Sequence, residues 1–355
     1  MDRSQTGRRM ALLPEHSALQ HERAPRPLPL FLELVRKASE RDPDLARAAL
    51  AGLKAYQCAE RDSAPAPSPE AARVRGACLR DHGGSGPPAV LVPSLINPPR
   101  ILDLDPGVSL AAAIARSGRR VLLLDWGPAE ERGELSVGGH VQQLLQPLLR
   151  SIGEPAALVG YCLGGTMAIA AAGLTPVERV ATLAAPWNFA RYPPASRTAL
   201  ADMWRGAQEP SRALGALPME VLQAAFWSLD PERTVRKFAE FGRLDPACRE
   251  ARRFIALEDW ANEGEPLPLP AARELIEDLF GRDLPGSGEW RVGERAVSGQ
   301  LPVPTLHILA GNDRIAPPGT APVGPSFAIE SGHVGMIVGS ARAKLHQTLD
   351  SFLHD

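Results

Sequence analysis

The chain has 355 residues, of which 44% are hydrophobic and 23% are charged. This is the composition of an ordinary globular protein, and the length suffices for one large α/β domain with an insertion or for two domains. Its 39 Lys and Arg against 41 Asp and Glu give a formal net charge of -2. Because nucleic-acid binding requires a basic excess gathered on one face, we expect no nucleic-acid partner.

The four cysteines stand far apart, without the spacing of a zinc knuckle or of a disulfide framework. They are Cys58, Cys78, Cys162 and Cys248. The N-terminus lacks the apolar run of a signal peptide, and no apolar stretch reaches the roughly 18 residues that a membrane-spanning helix needs. We therefore expect a cytoplasmic protein with no structural metal, no disulfide and no transmembrane segment.

Three segments precede the predicted catalytic domain. Residues 1–28 are polar and rich in proline, which predicts a flexible arm. Residues 29–60 carry apolar side chains at helical spacing, and Pro43 divides them into two helices. Residues 61–72 are proline-rich and predict an extended linker. The catalytic domain is predicted to cover residues 73–355.

The catalytic domain alternates predicted strands with helices. Strands are predicted at residues 89–92, 120–124, 156–159, 179–183, 305–310 and 326–329, and helices at 108–115, 141–152, 164–172 and 341–353. This alternation predicts right-handed crossovers and a mostly parallel sheet with helices on both faces. Between about residues 187 and 300 helical patterns dominate instead, which predicts an inserted, largely helical cap.

A strand-to-helix turn at residues 160–164 reads Gly-Tyr-Cys-Leu-Gly. The pattern Gly-x-nucleophile-x-Gly is typical of the nucleophile elbow of the α/β-hydrolase fold, with Cys162 where serine is usual. The glycines make room for a strained turn, and the helix N-terminus favours a thiolate. Taken alone, the pentapeptide also fits a buried cysteine in a glycine-rich packing turn.

Two further residues follow in the order that an α/β-hydrolase requires, which is nucleophile, acid and then base. Asp313 comes directly after the strand of residues 305–310, where a carboxylate faces the catalytic edge of the sheet. His333 follows the strand of residues 326–329, and its flanking glycines predict a tight loop around the imidazole. A role in a turn is the alternative for Asp313, and Asp125 is the rival carboxylate.

The remaining histidines are predicted to be structural or solvated, in the arm, in loops, on surface helices or inside a strand. They are His16, His21, His82, His140, His307, His346 and His354. The oxyanion of a tetrahedral intermediate would be held by the backbone amide of Leu163 together with that of Ile96 or Asn97. The latter two belong to residues 93–99, Pro-Ser-Leu-Ile-Asn-Pro-Pro, which we call the oxyanion loop.

Several segments resemble the polyhydroxyalkanoate (poly-3-hydroxybutyrate) synthases. The matching pieces are Val-Pro-Ser-Leu-Ile-Asn-Pro-Pro-Arg-Ile-Leu-Asp-Leu (residues 92–104), Leu-Leu-Leu-Asp-Trp-Gly (122–127), Gly-Tyr-Cys-Leu-Gly-Gly-Thr (160–166), Gly-Asn-Asp-Arg-Ile-Ala-Pro-Pro (311–318) and Gly-His-Val-Gly-Met-Ile-Val-Gly (332–339). Together they span about residues 88–353. The cysteine in the elbow is the specific feature, since ordinary esterases carry serine there.

The chain resembles a divergent short-form member of this family, within the α/β-hydrolase superfamily. Residues 1–85 have no clear counterpart in it. Asn188 stands where the synthases usually have aspartate, and residues 257–264, Leu-Glu-Asp-Trp-Ala-Asn-Glu-Gly, are particular to a divergent subgroup.

The resemblance implies roles for the three predicted catalytic residues. Cys162 would be the acylated nucleophile and His333 its base, while Asp313 would assist His333 or activate the incoming hydroxyl. The implied activity is an acyltransferase that polymerises (R)-3-hydroxyacyl-coenzyme A and releases coenzyme A, without a cofactor. The implied partners are the acyl-coenzyme A, the polyester chain, and a second synthase subunit or a homodimer, in the cytoplasm or at the polyester granule surface.

Two other functions remain open from the residues. A thioesterase or an intracellular polyester depolymerase would use the same triad and differ in whether water reaches the acyl-enzyme. A granule-associated scaffold protein would keep the fold without catalysis and dock through the helix pair of residues 30–56. The presence of thiol, imidazole and carboxylate together argues against the scaffold.

Overall fold

The structure, a computed structural model, describes residues 23–61 and 66–355. The chain forms two compact units. Among the described residues, the first combines residues 23–61 with Pro231–Ile255, and the second combines residues 66–230 with Ala256–Asp355. Most of the predicted N-terminal arm, residues 1–22, lies outside the described residues, as do residues 62–65 of the predicted linker.

An eight-stranded sheet forms the centre of the second unit. Its strands are β1 (Glu70–Val74), β2 (Ala77–Asp81), β3 (Pro88–Val92), β4 (Arg120–Asp125), β5 (Ala157–Tyr161), β6 (Val180–Leu183), β11 (Thr305–Ala310) and β12 (Ser326–Ile329). Two short hairpin-like pairs lie outside it, β7 (Ala216–Leu217) with β8 (Leu267–Pro268), and β9 (Arg291–Val292) with β10 (Arg295–Ala296). The sheet order is β1-β2-β4-β3-β5-β6-β11-β12.

The last six strands of this sheet order, from β4 to β12, pair in parallel, as the sequence predicts. The pairs β1–β2 and β2–β4 are antiparallel. The sequence analysis missed these two strands, and β1 begins at Glu70, inside the predicted linker. The side chains of β1 are mostly exposed because it is an edge strand. It therefore lacks the apolar pattern by which a buried strand is recognised.

Alternating side chains of the parallel strands supply the two cores of the second unit. Val90, Leu122 and Leu158 belong to one apolar cluster, whereas their neighbours Leu91 and Leu123 belong to the other. Successive side chains of a strand point to opposite faces of a sheet, so every central strand contributes to both cores. This explains why these strands read as continuous apolar runs in the sequence.

Helices cover both faces of the sheet. They are Leu110–Arg116, Val137–His140 continuing through the π-helical Val141–Leu145 into Gln146–Ser151, Leu163–Ala172, Pro194–Leu214, Met219–Ser228, Leu269–Arg273 continuing into the π-helical Glu274–Gly281, Leu284–Ser287, His333–Val338 and Arg342–His354. Short 3-10 turns are Pro99–Asp103, Ala129–Arg132, Phe189–Arg191 and Pro318–Thr320. Within the described residues, no helix is long and apolar enough to span a membrane.

The first unit is helical. Its helices are Leu28–Ser39, Pro43–Cys58 and Pro231–Phe241, and the helix Arg249–Asn262 begins in it. Phe238 makes edge-on ring contacts with Phe31 (4.8 Å between centroids), Tyr56 (5.8 Å) and Phe254 (5.4 Å). These contacts group Pro231–Ile255 with the N-terminal helices, although the sequence places it inside the predicted cap of residues 187–300. Sequence order alone does not reveal such a long-range aromatic core.

Candidate active site

The predicted elbow lies between β5 and the helix Leu163–Ala172. Cys162 occupies it with φ +55° and ψ -131°, a backbone conformation that is strained for a residue with a side chain. A Cβ atom on Gly164 would lie 2.1 Å from the carbonyl oxygen of Val92, and one on Gly160 would lie 2.5 Å from the Cα of Gly165. Both positions therefore require glycine, because the strands and the helix approach each other so closely.

Asp313 and His333 come together at the same edge of the sheet. Asp313 Oδ2 accepts a hydrogen bond from His333 Nδ1 at 2.6 Å, while its Oδ1 accepts from the amides of Ile315 (2.8 Å) and Ala316 (3.0 Å). The Asp313 side chain is fully buried, and that of His333 is 8% exposed. These bonds orient the carboxylate and leave His333 Nε2 for a further partner.

That further partner is the side chain of Cys162, which is hydrogen-bonded to His333. Burial opposes a charge on the imidazole, but the negative charge of Cys162, with the Asp313 hydrogen bond, outweighs it and raises the pKa of His333 to about 10. The imidazole of His333 is therefore favoured in its protonated form beside the sulfur of Cys162 at neutral pH. Such a pair supplies a ready nucleophile and a proton donor within one contact.

His333 differs from its predicted setting in one respect. It is the first residue of the helix His333–Val338, with Gly332 at the N-cap, rather than part of a tight loop. The two glycines near it do not prevent the helix, because Gly332 is the N-cap and Gly335 falls within the first turn, where the backbone amides have no partner within the helix. His333 nevertheless lies beside Cys162, as the order of the motifs predicts.

Asp125, the rival carboxylate, has other partners, and so has Arg314, the residue next to Asp313. Asp125 Oδ2 pairs with Arg80 Nε at 3.2 Å, and its Oδ1 accepts from the amide of Gly127 at 3.1 Å. Arg314 pairs with Asp230 at 2.9 Å. Asp125 is therefore an ion-paired turn residue, whereas Asp313 faces His333.

His140 has a structural role, which is one of the two roles that the sequence analysis predicts for it. It is fully buried, with Nδ1 2.7 Å from the carbonyl oxygen of Ser136 and Nε2 3.3 Å from Arg132 Nη1. Its ring stands edge-on to Trp126, 5.7 Å between centroids. Burial lowers its pKa to about 4, so the imidazole is neutral and structural at neutral pH. His16 and His21 lie outside the described residues.

The residues predicted to donate to the oxyanion lie in the helix after the elbow and in the oxyanion loop. Leu163 is the first residue of the helix that follows Cys162. The amide of Ile96 donates to Ser94 Oγ at 3.3 Å, and the side chain of Asn97 donates from Nδ2 to the carbonyl oxygen of Ala261 at 3.4 Å. Because the Ile96 amide already has an acceptor, that of Asn97 is the better candidate for the second donor.

Two tyrosines near the site were not singled out by the sequence. The ring of Tyr161 lies 4.9 Å from that of His333, and its hydroxyl donates to the His333 carbonyl oxygen at 3.4 Å. Tyr192 donates to the carbonyl oxygen of Ile315 at 2.9 Å. Burial raises the pKa of both phenols, and the charges of Cys162 and Asp313 raise it further, so both stay neutral. Only Tyr161 had a signal, its place inside the elbow motif.

Among the residues that the structure describes, no group of three or more His, Cys, Asp or Glu is arranged to hold a metal ion. The site itself presents the thiol of Cys162, the imidazole of His333 and the carboxylate of Asp313, together with the amides of the neighbouring backbone.

Comparison with known proteins finds relatives that share one name. No protein-family model matches the chain. It is similar to proteins named poly(3-hydroxyalkanoate) polymerase subunit PhaC. That of Haloferax mediterranei is 26% identical over 272 residues, which are 71% of this chain and 55% of the relative, and that of Synechocystis sp. is 26% identical over 276 residues, 71% of this chain and 73% of the relative. The chain is similar, at low identity, to poly(3-hydroxyalkanoate) polymerase subunits. The match thus spans little more than half of the Haloferax relative's length.

The chain has the α/β-hydrolase fold predicted from its motifs. A solved esterase from Thermogutta terrifontis superposes with a TM-score of 0.50 at 17% identity, covering 82% of this chain and 98% of the esterase. At that identity the likeness concerns the fold alone. The mostly parallel eight-stranded sheet with helices on both faces agrees with it, so the predicted fold class is confirmed.

Proposed function

We propose that the chain is an acyltransferase of the polyhydroxyalkanoate synthase type, which transfers (R)-3-hydroxyacyl units from coenzyme A to a growing polyester. One observation carries the proposal: a cysteine occupies the elbow and contacts a histidine that is held by a buried aspartate. A cysteine forms a thioester, and a thioester retains enough reactivity to pass its acyl group to a hydroxyl. The similarity to proteins named as poly(3-hydroxyalkanoate) polymerase subunits supports the same chemistry.

The first half-reaction forms the acyl-enzyme. The Cys162 thiolate attacks the carbonyl carbon of the acyl-coenzyme A, and the carbonyl oxygen becomes an oxyanion held by the amides of Leu163 and Asn97. As the oxyanion collapses, the bond from carbon to the coenzyme A sulfur breaks. His333 gives its proton to that sulfur, so coenzyme A leaves as the free thiol.

The second half-reaction extends the polyester. The hydroxyl of another 3-hydroxyacyl unit gives its proton to the now neutral His333, and its oxygen attacks the Cys162 thioester. A new ester bond forms, and the sulfur of Cys162 leaves as the thiolate. The thiolate and imidazolium are thereby restored, and Asp313 keeps His333 in one tautomer throughout.

The surroundings of Cys162 suit an acyl group. Its side chain packs against the apolar cluster that lies on one face of the sheet, to which Trp260 belongs. Other partly buried apolar side chains packed against the same cluster are Leu104, Leu257, Ala261 and Val334. An apolar lining stabilises a bound acyl chain and disfavours water, which would otherwise hydrolyse the acyl-enzyme.

The deciding experiment supplies 3-hydroxybutyryl-coenzyme A to the purified chain and follows thiol release, the mass of the protein and the products. We expect coenzyme A release, a mass increase that maps to Cys162, and polyester. Free 3-hydroxybutyrate in place of polymer would contradict the transferase and indicate a thioesterase. No release in Cys162→Ala together with normal release in Cys58→Ala, Cys78→Ala and Cys248→Ala would assign the nucleophile.

A further inference from the structure

The segment of residues 256–264 lies against the oxyanion loop within the second unit. It contains residues 257–264, Leu-Glu-Asp-Trp-Ala-Asn-Glu-Gly, none of which makes or breaks a bond in the proposed reaction, and we call it the clasp. Trp260 Nε1 donates to the carbonyl oxygen of Pro98 at 2.9 Å, and Asn97 Nδ2 donates to that of Ala261 at 3.4 Å. A Cβ atom on Gly264 would lie 3.1 Å from the carbonyl oxygen of Ile96. Three consecutive loop residues thus meet the clasp.

The start of the oxyanion loop is held from a different side. Trp126 Nε1 donates to the carbonyl oxygen of Pro93 at 3.1 Å, and Gly164 of the elbow packs against the carbonyl groups of Val92 and Pro93. The sheet and the elbow therefore fix where the loop begins. Further along the loop, the clasp contacts Ile96, Asn97 and Pro98, and we expect these contacts to set their positions.

We infer that the clasp positions the oxyanion loop, and that Trp260 and Asn97 are positioning residues that aim the Asn97 amide at the oxyanion. The inference rests on the proposed function for the identity of the substrate, but not for the geometry. The side chain of Asn97 is hydrogen-bonded to the clasp, and the backbone amide of Asn97 is the candidate oxyanion donor. Since donors must lie about 3 Å from the oxyanion and a displacement of about 1 Å can cost on the order of 10²-fold in rate, the clasp controls acyl transfer.

The buried part of the clasp carries this role. The side chain of Trp260 is 8% exposed and shares the apolar cluster against which Cys162 packs. A second contact, between Arg100 and Glu263 at 2.8 Å, has side chains that are 35% and 55% exposed. An exposed ion pair of this kind is screened by solvent and contributes little, so it is not the determinant.

The test compares Trp260→Phe with Trp204→Phe. Both changes remove one indole donor from a buried side chain, but Trp204 donates to Glu277 at 2.8 Å rather than to a carbonyl group of the oxyanion loop. Two reactions of Cys162 are followed by intact mass: acylation by p-nitrophenyl acetate, which passes through an oxyanion, and alkylation by iodoacetamide, which does not. We expect Trp260→Phe to slow acylation by about tenfold or more and to leave alkylation unchanged. Trp204→Phe should change neither.

Asn97→Ala provides a second variant, which keeps the amide and removes its tie to the clasp. It should also slow acylation more than alkylation. Equal acylation rates in wild type and in both variants would overturn the inference, as would a parallel loss of acylation and alkylation. If the wild type is acylated by p-nitrophenyl acetate but not by 3-hydroxybutyryl-coenzyme A, the proposed function fails and the inference is still decided by the variants. If neither reagent acylates the wild type, both are wrong.

Discussion

His333 Nδ1 and Asp313 Oδ2 lie 2.6 Å apart, although 20 residues separate them along the chain. Each follows a different parallel strand, Asp313 after β11 and His333 after β12, and these strands are neighbours in the sheet. Because Asp313 occupies Nδ1, the other ring nitrogen is the one that remains for Cys162. The first two predictions concern this pair.

Asp313→Asn should weaken the contact between His333 and Cys162. Loss of the carboxylate removes one of the interactions that raise the pKa of His333 and hold its ring, so the imidazole is less often protonated and less well oriented beside the sulfur. We expect acylation of Cys162 by p-nitrophenyl acetate at pH 7 to fall by roughly 10²-fold or more. Asp125→Asn, which removes the ion pair with Arg80 and keeps an oxygen to accept from the Gly127 amide, serves as the control and should retain a rate near that of the wild type.

The rate of Cys162 acylation should depend on pH in a defined way. Since the pKa of His333 is raised to about 10, the imidazolium persists through pH 7–9 and is lost above that range. The rate should fall as the pH rises through about 10, where the proton donor to the leaving coenzyme A sulfur disappears. The measurement is the single-turnover rate of acylation by 3-hydroxybutyryl-coenzyme A from pH 7 to 10.5, with that of Cys162→Ala subtracted. A rate still rising at pH 10.5 would contradict the raised pKa of His333.

His140 should make the second unit less stable in acid. Burial lowers its pKa to about 4, whereas the unfolded chain binds a proton below the ordinary value of 6.5. The free energy of unfolding therefore loses up to about 3 kcal/mol between pH 6.5 and pH 4 through this group. His140→Gln lacks the imidazole and therefore this loss. Urea denaturation should show that the difference in the free energy of unfolding between wild type and variant becomes smaller from pH 7 to pH 4.5. His354→Gln, at an exposed position, serves as the control.

Gly164→Ala should damage the elbow. Its new methyl group would lie 2.1 Å from the carbonyl oxygen of Val92, too close for the strand and the helix to keep their positions. We expect a loss of about 1–3 kcal/mol or more in thermal or chemical denaturation, with acylation of Cys162 also reduced. Gly173→Ala, at the end of the same helix, meets no atom closer than 3.6 Å and should stay within about 0.5 kcal/mol of the wild type.

The other cysteines should differ sharply in their reactivity with thiol reagents. Cys78 is buried in β2, and burial raises the pKa of its thiol, so it should react only on unfolding. Cys58 is exposed and should react in the native protein without affecting acylation of Cys162. Mass mapping after a short treatment with N-ethylmaleimide at pH 7 checks both. Modification of Cys78 at the rate of Cys58 would contradict the buried position.

Much of the second unit was predictable because its signals are local. The central strands are buried on both faces and read as apolar runs, and β11 and β12 match their predicted limits of residues 305–310 and 326–329. The glycine spacing of the elbow predicted the strained turn at Cys162. The order of nucleophile, acid and base then fixed which strand ends carry Asp313 and His333, because parallel strands present their carboxyl ends at one edge.

What the sequence by itself determined was the fold class, the elbow and the three residues that meet there, since each follows from a short-range pattern. Only the tertiary structure decided the partners that are distant in sequence: Phe238 with Phe31 in the first unit, the buried place of His140, and the contact of Trp260 with Pro98. These depend on which surfaces pack after the chain has folded. Periodicity and spacing in the sequence do not predict such packing, because a contact between residues 162 positions apart does not affect the local sequence pattern.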